Sequence, residues 1–343
     1  IRSITSFALY GFPESHAASF ALLAYASAWL KCHYLAAFTA AMLNNQPMGF
    51  YHPATLVKDA QRHGLRVKPI DITCSDWLCT LEKIGDKPNE FALRIGLRYV
   101  KGLREEIGEQ IVQQRAAREF GSIEDLKLRV PQIQKSELAA LASIGALNFI
   151  GGKRGRHRRD ALWQIERAAR HPGPLFESPE ICAEAENDKE PQAEMPMRID
   201  SPLLPMTTEE RLIADYHGTG MTVGPHPLAY HRALLKQQRI RTALDLQKLP
   251  NGTLVRVAGS VIVRQRPGTA KGFVFLSMED ETGVANVIIT PQLFQLNRTV
   301  IVGHQFLLVA GTLQNQDNVV SVKAETIEPL HLTRAETTSH DFH

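Results

Sequence analysis

Four stretches of the 343-residue sequence carry residue types and spacings that could do chemistry, and all four point to anions or bases rather than to bond-making. In Gly96-Leu-Arg-Tyr-Val-Lys-Gly102-Leu, Gly102 stands among apolar residues and between two helical segments. That is the hairpin of a helix-hairpin-helix element. Its glycine lets a phosphate approach the backbone, the free N–H groups of the next helix bind the anion, and Lys101 adds a point charge. A second hairpin is expected at Ile144-Gly145-Ala146 or at Gly151-Gly152, leading into a basic helix over 156–169. There Lys153, Arg154, Arg156, Arg158 and Arg159 make five of seven residues basic. Tandem hairpins would grip both strands of a duplex without reading sequence. The plainer alternative is a helical bundle with glycine caps.

Farther along, Phe273 and Phe275 share one face of an expected strand, and Arg264, Arg266 and Lys271 flank the loop before it. Aromatics beside cations suit single-stranded nucleic acid, with bases stacked and phosphates paired; alternatively both Phe side chains fill a core. Ser15 and His16, at a helix start, either bind a triphosphate or simply cap the helix. No Walker-type glycine loop, no serine-hydrolase elbow and no strand-bracketed acidic pair for two metals is found. The run Glu279-Asp280-Glu281 is expected to be a solvated turn. The chain is assigned no catalytic residue and no metal ligand.

These residues need elements to position them. Residues 14–45 are Ala- and Leu-rich without internal Gly or Pro and predict one helix. A second follows Pro53 and stops at Gly64, and 65–72 predict one short strand broken by Pro69. Residues 91–170 predict at least four short helices punctuated by Gly102, Gly121, Gly145 and Gly151-Gly152. Residues 171–205, rich in Pro and acid, predict a flexible linker, and 207–216 and 225–238 two more helices. From 253 to 330 five β-branched runs, with a helix over Pro291–Asn297 between the third and fourth, follow the order of an OB-fold barrel. The fold class is therefore multi-domain α+β: helical segments and tandem hairpins, then a five-stranded OB-fold.

Composition agrees. Hydrophobic residues are 44% and charged residues 22%, which excludes wholesale disorder. Cys32, Cys74, Cys79 and Cys182 form no CxxC pair, so a disulfide scaffold is excluded and a reduced, cytoplasmic setting is expected. The longest apolar stretch, Ala17 to Leu30, is too short to span a bilayer, so no membrane partner is expected. The formal net charge of +3 hides an asymmetry: residues 94–170 carry sixteen basic against nine acidic side chains, and 171–203 two against eight. A basic block beside an acidic linker argues for a polyanion partner. Ile1 opens inside a helical pattern and is not expected to be a natural amino terminus.

The run Tyr10-Gly-Phe-Pro-Glu-Ser-His-Ala-Ala-Ser-Phe-Ala-Leu-Leu23, continuing through Tyr25 to His33, resembles the fingers region of bacterial C-family DNA polymerases. It is most similar to their error-prone branch, related to the replicative polymerase III alpha subunit, which usually has Asn-Lys where this chain has Pro13-Glu14. Arg264 to Gly272, Met278 to Gly283 and the terminal Asp341-Phe342-His343 also resemble that branch. The resemblance implies all-α fingers over 1–72, a helix-hairpin-helix region over 73–170, a linker over 171–205, connecting helices over 206–248, an OB-fold over 249–331 and a tail over 332–343. It implies template-directed DNA synthesis during damage tolerance, with Mg²⁺ held by palm aspartates absent from this chain and no cofactor bound by the fragment. It implies primer-template DNA, single-stranded template, dNTP and accessory mutagenesis proteins as partners, and places Ser15 and His16 near the incoming nucleotide. The clamp-binding peptide of replicative relatives is reduced to Pro172-Gly-Pro-Leu175-Phe176 without its Gln, so sliding-clamp access is expected to be indirect. The alternatives are a replicative alpha-subunit fragment and a non-catalytic DNA-binding module.

Overall fold

The Ala- and Leu-rich start makes two helices, not one: α1 (Glu14–His33) and α2 (Leu35–Asn44). Tyr34 leaves helical geometry (φ −134°, ψ 46°), yet its N–H still bonds the Leu30 carbonyl and its own carbonyl accepts from Phe38 N–H. Those two bonds carry the chain across the bend, which leaves no Gly or Pro signature. The computed structural model describes residues 14–48, 51–85, 90–152, 157–169, 201–316, 319–330 and 340–342, with the backbone alone at 14–15, 168–169 and 340–342.

Helix α3 (Pro53–Arg62) opens on proline and on His52, whose Nδ1 accepts from Ala54 N–H at 3.2 Å. The strand expected over 65–72 shrinks to β1 (Val67–Lys68), because Pro69 has no N–H to continue a ladder. It joins β2 (Thr80–Lys83) and β3 (Phe91–Arg94) in a sheet of order β1-β3-β2. Those two strands are four residues each, too short for a periodic signal.

Four helices follow: α4 (Glu105–Ala117), α5 (Ile123–Arg129), α6 (Lys135–Ser143) and α7 (Arg158–Ala169). One apolar core runs through them from α2, with Leu43, Leu93, Leu97, Ile107, Leu126, Leu141 and Leu147 fully buried. Helix α8 (Thr208–Thr219) begins with a capping box between Thr207 and Glu210, and Met221 just beyond it enters the same core. Helices α9 (Pro227–Gln237) and α10 (Ala243–Leu246) lead to the barrel.

The barrel is β4 (Leu254–Gln265), β5 (Val274–Glu279), β6 (Val284–Ile289), β7 (Phe306–Gln316) and β8 (Val319–Pro329). Neighbours run β4-β5-β6-β8-β7 and back to β4, with β6 and β8 parallel, the closed five-stranded order of an OB-fold. A last strand, β9 (His340–Phe342), runs parallel to β4 along Val263–Gln265. Helix α11 (Pro291–Gly303) fills the expected place after β6 but continues past Asn297, where the backbone kinks (φ −117°, ψ 20°).

The acidic run does not form a solvated turn. Glu279 and Asp280 are 4% and 2% exposed. Glu279 accepts from Arg62 of α3 at 2.8 Å, and Glu281 from Arg232 of α9 at 2.8 Å. Asp280 accepts from Ala243 N–H at 2.8 Å and from Thr282 and Gly283 N–H groups. Burial still pushes the Glu279 carboxyl above its usual range, although Arg62 pulls it down. On the α3 side, buried Lys58 donates to Gln61 at 2.9 Å and to the Gly224 carbonyl, and burial lowers its ammonium to about 8. His226 caps α9 from the same buried cluster, its Nδ1 accepting from Leu228 N–H at 3.2 Å.

Burial, together with Lys58, Arg62 and Arg232, lowers the His226 pKa to about 3, so the ring folds neutral. A base depressed in the folded state contributes stability that is present above its unfolded pKa of about 6.5 and is lost as pH falls toward 3. Asn at an N-cap keeps the acceptor without the titration. Urea unfolding at pH 7 and pH 5 should show the parent losing about 2 kcal/mol more than His226→Asn; equal losses would place the imidazole elsewhere.

Candidate nucleic-acid interface

The first hairpin is pinned from below and open above. Leu97, Val100 and Leu103 are buried on either side of its tip. Gly102 takes φ +83°, and a Cβ built there meets nothing within 4 Å, so a phosphate has a clear approach to the backbone. The neighbouring N–H groups are committed: Lys101 N–H to the Gly218 carbonyl at 2.7 Å, Leu103 N–H to Val100, and Arg104 N–H to Glu137 at 3.1 Å. The Lys101 ammonium reaches the Tyr216 carbonyl at 3.2 Å, at the end of α8, while the residue remains exposed. Helix α4 starts with Glu105 and Glu106 and has no side-chain cap, which leaves the first-turn N–H groups without intrahelical partners.

A fastener that the sequence reading missed joins the hairpins. Arg104 grips Glu137 with Nε and Nη2, both at 3.0 Å, and the same carboxylate accepts from Gln134 N–H to close the α6 capping box. Burial opposes the Glu137 charge, but these donors outweigh it and hold the carboxyl below its usual range. The Gln134-x-x-Glu137 spacing announced the cap; nothing local announced Arg104.

Of the two candidate positions for the second hairpin, Gly145 takes φ +85° directly after α6. Gly145 N–H bonds Ala142 and Ala146 N–H bonds Leu141, a left-handed helix end. Here an added Cβ would lie 2.9 Å from Arg158 Nε and 3.0 Å from Asn148 Nδ2. Gly151 and Gly152 also take positive φ, and Gly151 N–H bonds Phe120. Lys153, Arg154 and Arg156 lie outside the described residues, as do the 170–200 stretch with Leu175 and Phe176 and the amino-terminal run through Pro13.

Other cations of the basic block face inward. Arg158 pairs with Asp215 of α8 at 2.7 Å and donates to the Ser143 and Arg211 carbonyls. Arg159 pairs with Glu210 at 2.7 Å and donates to Leu204. Arg98 and Arg115 likewise hold carbonyls, of Asn44 and Gln46 and of Ile72 and Ser75. These guanidiniums join elements, so the surplus over 94–170 overstates the free positive charge.

On the barrel, Arg264 is buried and ties β4 to the end of α11 through the Ile301 and His304 carbonyls, both at 2.8 Å. Arg266 lies over the Phe294 ring at 5.1 Å, and Lys271 is exposed in a left-handed turn (φ 49°). Val274, Leu276 and Met278 fill the barrel, so Phe275 between them points outward and is 37% exposed. Phe273 is half-buried just before β5. Ser15 and His16 lie in the first turns of α1, with the His16 ring 4.5 Å from that of Phe20. Among the described residues no group of three His, Cys, Asp or Glu side chains could hold a metal ion.

A family model described as a helix-hairpin-helix motif matches residues 64–157. The whole chain is 43% identical over 348 residues to the error-prone DNA polymerase of Anaeromyxobacter sp. strain K, of which it covers 29%. It is 42% identical to that of Alkalilimnicola ehrlichii, with 31% covered, and 43% identical to that of Pseudomonas syringae pv. syringae over 99% of this chain and 31% of the relative. The chain thus spans about three tenths of the length of the curated relatives it matches. Among solved structures, asparaginyl-tRNA synthetase from Pyrococcus horikoshii aligns with 27% of this chain and 23% of its own, at 19% identity and a TM-score of 0.24, a likeness too slight to carry an argument.

The two glycines and Arg158 separate fold from surface. Gly102→Ala meets only the left-handed strain, about 1 kcal/mol. Gly145→Ala must also displace Arg158 and should cost more. Arg158→Ala leaves the half-buried Asp215 carboxylate with Thr222 alone as a direct partner and is expected to cost about 1–3 kcal/mol, recovered in part by adding Asp215→Asn. Urea titrations of the four variants check the order.

Proposed function

We propose that this chain is part of an error-prone DNA polymerase, the proteins it resembles along its whole length, and that it grips primer-template DNA for template-directed synthesis past damage. The observation that carries the reading is the coincidence of whole-chain likeness with the hairpin match over 64–157, the segment where Gly102 and Gly145 interrupt helices with positive φ. In this reading the open face at Gly102 and the first turn of α4 receive a phosphate. The Gly145 hairpin with Lys153, Arg154 and Arg156 receives the other strand. Neither contact touches a base edge, so the grip is independent of sequence, as a polymerase requires.

The remaining parts take their places around that grip. Residues 1–72 serve as late fingers, with Ser15 and His16 near the incoming dNTP, and the barrel over 249–331 faces unpaired template. Mg²⁺ supports nucleotidyl transfer in the intact polymerase. The described acids of this chain do not suit it, since Glu279, Asp280 and Glu281 are taken by Arg62, Arg232 and backbone N–H groups. In this reading its ligands are palm aspartates outside this chain. Accessory mutagenesis proteins, with the sliding clamp reached through them, complete the proposed set. No helix among the described residues is long and apolar enough to cross a membrane, and a cytoplasmic setting accompanies the reading.

Two measurements test it. The chain alone should extend no primer at any Mg²⁺ concentration; dNTP incorporation would move the metal site onto this chain. Duplex affinity should fall roughly 10³-fold or more between about 50 and 200 mM salt if six or more phosphates are neutralised. A flat salt titration would sink the duplex grip.

A further inference from the structure

The last turn of α8 is held by both hairpins at once. From the first, Lys101 donates its N–H to the Gly218 carbonyl at 2.7 Å and its ammonium to the Tyr216 carbonyl at 3.2 Å. Towards the second, Gly218 lies against Ile144, the residue before Gly145. A Cβ built on Gly218 would stand 2.2 Å from Ile144 Cγ2 and 3.9 Å from Ser143 Oγ. Three residues earlier, Asp215 pairs with Arg158 at 2.7 Å, and Arg158 also reaches the Ser143 carbonyl.

Ile144 has no room to step aside. It is 6% exposed in the helical core, it closes α6 as its C-cap, and its branched Cβ keeps the side chain stiff. Cγ2 is one bond from that Cβ, so no flexible end can give way, and a side chain at 218 must shift the backbone of one partner. Glycine is what lets α8 seat this closely.

Helix α8 lies beyond the hairpin-motif match over 64–157. Within that match the hairpins have one tie: Arg104, before α4, grips Glu137 near the start of α6. Gly145 stands past the other end of α6, a helix of nine residues and so about 14 Å long. A single tie at one end of a rod fixes its position but not its direction, and apolar packing around it is non-directional. The α8 turn supplies a second tie at the far end, from Lys101 across to Ile144, and closes a triangle.

We infer that the last turn of α8 is the spacer of the duplex grip, with Gly218 as its positioning residue: the bare backbone there sets how far the phosphate at Gly102 stands from the phosphate at Gly145. The inference rests on the duplex reading above and adds to it a residue outside the motif, acting through Lys101 and Ile144. Phosphates along a duplex have a set spacing, so two contacts engage together only where the protein matches it. A helix that merely covered apolar surface would need neither a bond to one hairpin tip nor a bare Cα against the next.

The test is the salt dependence of duplex binding by the whole chain, read by fluorescence anisotropy beside urea unfolding. Each neutralised phosphate contributes about 0.9 to the slope of log affinity against log salt. Gly218→Ala should flatten that slope by about one to two units and weaken the duplex by at least about fivefold. Adding Ile144→Ala, which removes Cγ2, should restore the slope to within about half a unit. Gly218→Ala with Ile144→Val keeps Cγ2 and should keep the flattened slope; it replaces Gly218→Ala if that variant shows no cooperative urea transition. Leu126→Ala, which opens a cavity in the same core, should lower the urea midpoint and leave the slope at the parent value. A parent slope in Gly218→Ala or its replacement overturns the spacer, and so does an equal flattening in Leu126→Ala, the mark of a merely structural role. Either result leaves the duplex grip standing. A flat salt titration of the parent sinks that grip and takes the spacer with it.

Discussion

An acidic turn ties the barrel to two helices, and the placement of the barrel depends on it. Glu279, Asp280 and Glu281 are withdrawn from water at the β5–β6 turn and answered by Arg62 from α3, Arg232 from α9 and the Ala243 N–H. Removing a carboxylate from water costs several kcal/mol, and only close partners with good geometry offset it. Parting the barrel from either helix would leave those charges buried and unanswered. The junction therefore behaves as a fixed joint rather than a sliding surface. Lys58, paired directly to no acid among the described residues, completes it by holding the Gly224 carbonyl from the α3 side.

The same logic explains why positive charge in the sequence is a poor map of positive charge on the surface. Helix ends leave carbonyls without partners, and short helices multiply ends. Between α2 and α8 the chain meets that demand with guanidiniums, each offering several donors in a fixed plane. Arg98 covers the end of α2, Arg115 covers the turn at Ile72 and Ser75, and Arg158 covers the end of α6. Each also costs the surface a cation. Lys101 is intermediate, touching the Tyr216 carbonyl yet remaining exposed at the hairpin tip.

What the sequence revealed and what it hid follow from the range of the forces involved. The hairpin glycines were legible because positive φ is a local demand that only glycine meets cheaply, and Gly102 and Gly145 both meet it. The barrel was legible because β-branched runs with turn residues between them are also local. The break at Tyr34 was not, since neither Gly nor Pro marks it. Nor was the acidic turn: Arg62 lies 217 residues from Glu279, so three consecutive acids read as solvated until the fold brings the cations to them. Phe275 was left between core and surface by its sequence, and strand parity resolved it, because Val274, Leu276 and Met278 occupy the interior.

These long-range contacts also tie the two candidate DNA surfaces into one geometry. Starting at the first hairpin, Lys101 N–H bonds Gly218 at the end of α8. Two residues past that helix, Met221 is buried in the helical core, and Val223 and Gly224 are held by Gln61 and Lys58 of α3. One turn farther along α3, Arg62 reaches Glu279 at the barrel. Every link is a buried or half-buried bond between rigid elements, with no long unsupported loop between them. A duplex held at Gly102 would therefore stand at a set distance from the barrel face that carries Phe275, and the distance is fixed by α3 and the 218–224 turn rather than by the linker. This arrangement suits a strand that is paired at one site and unpaired at the other, since the junction between the two states has only one place to lie.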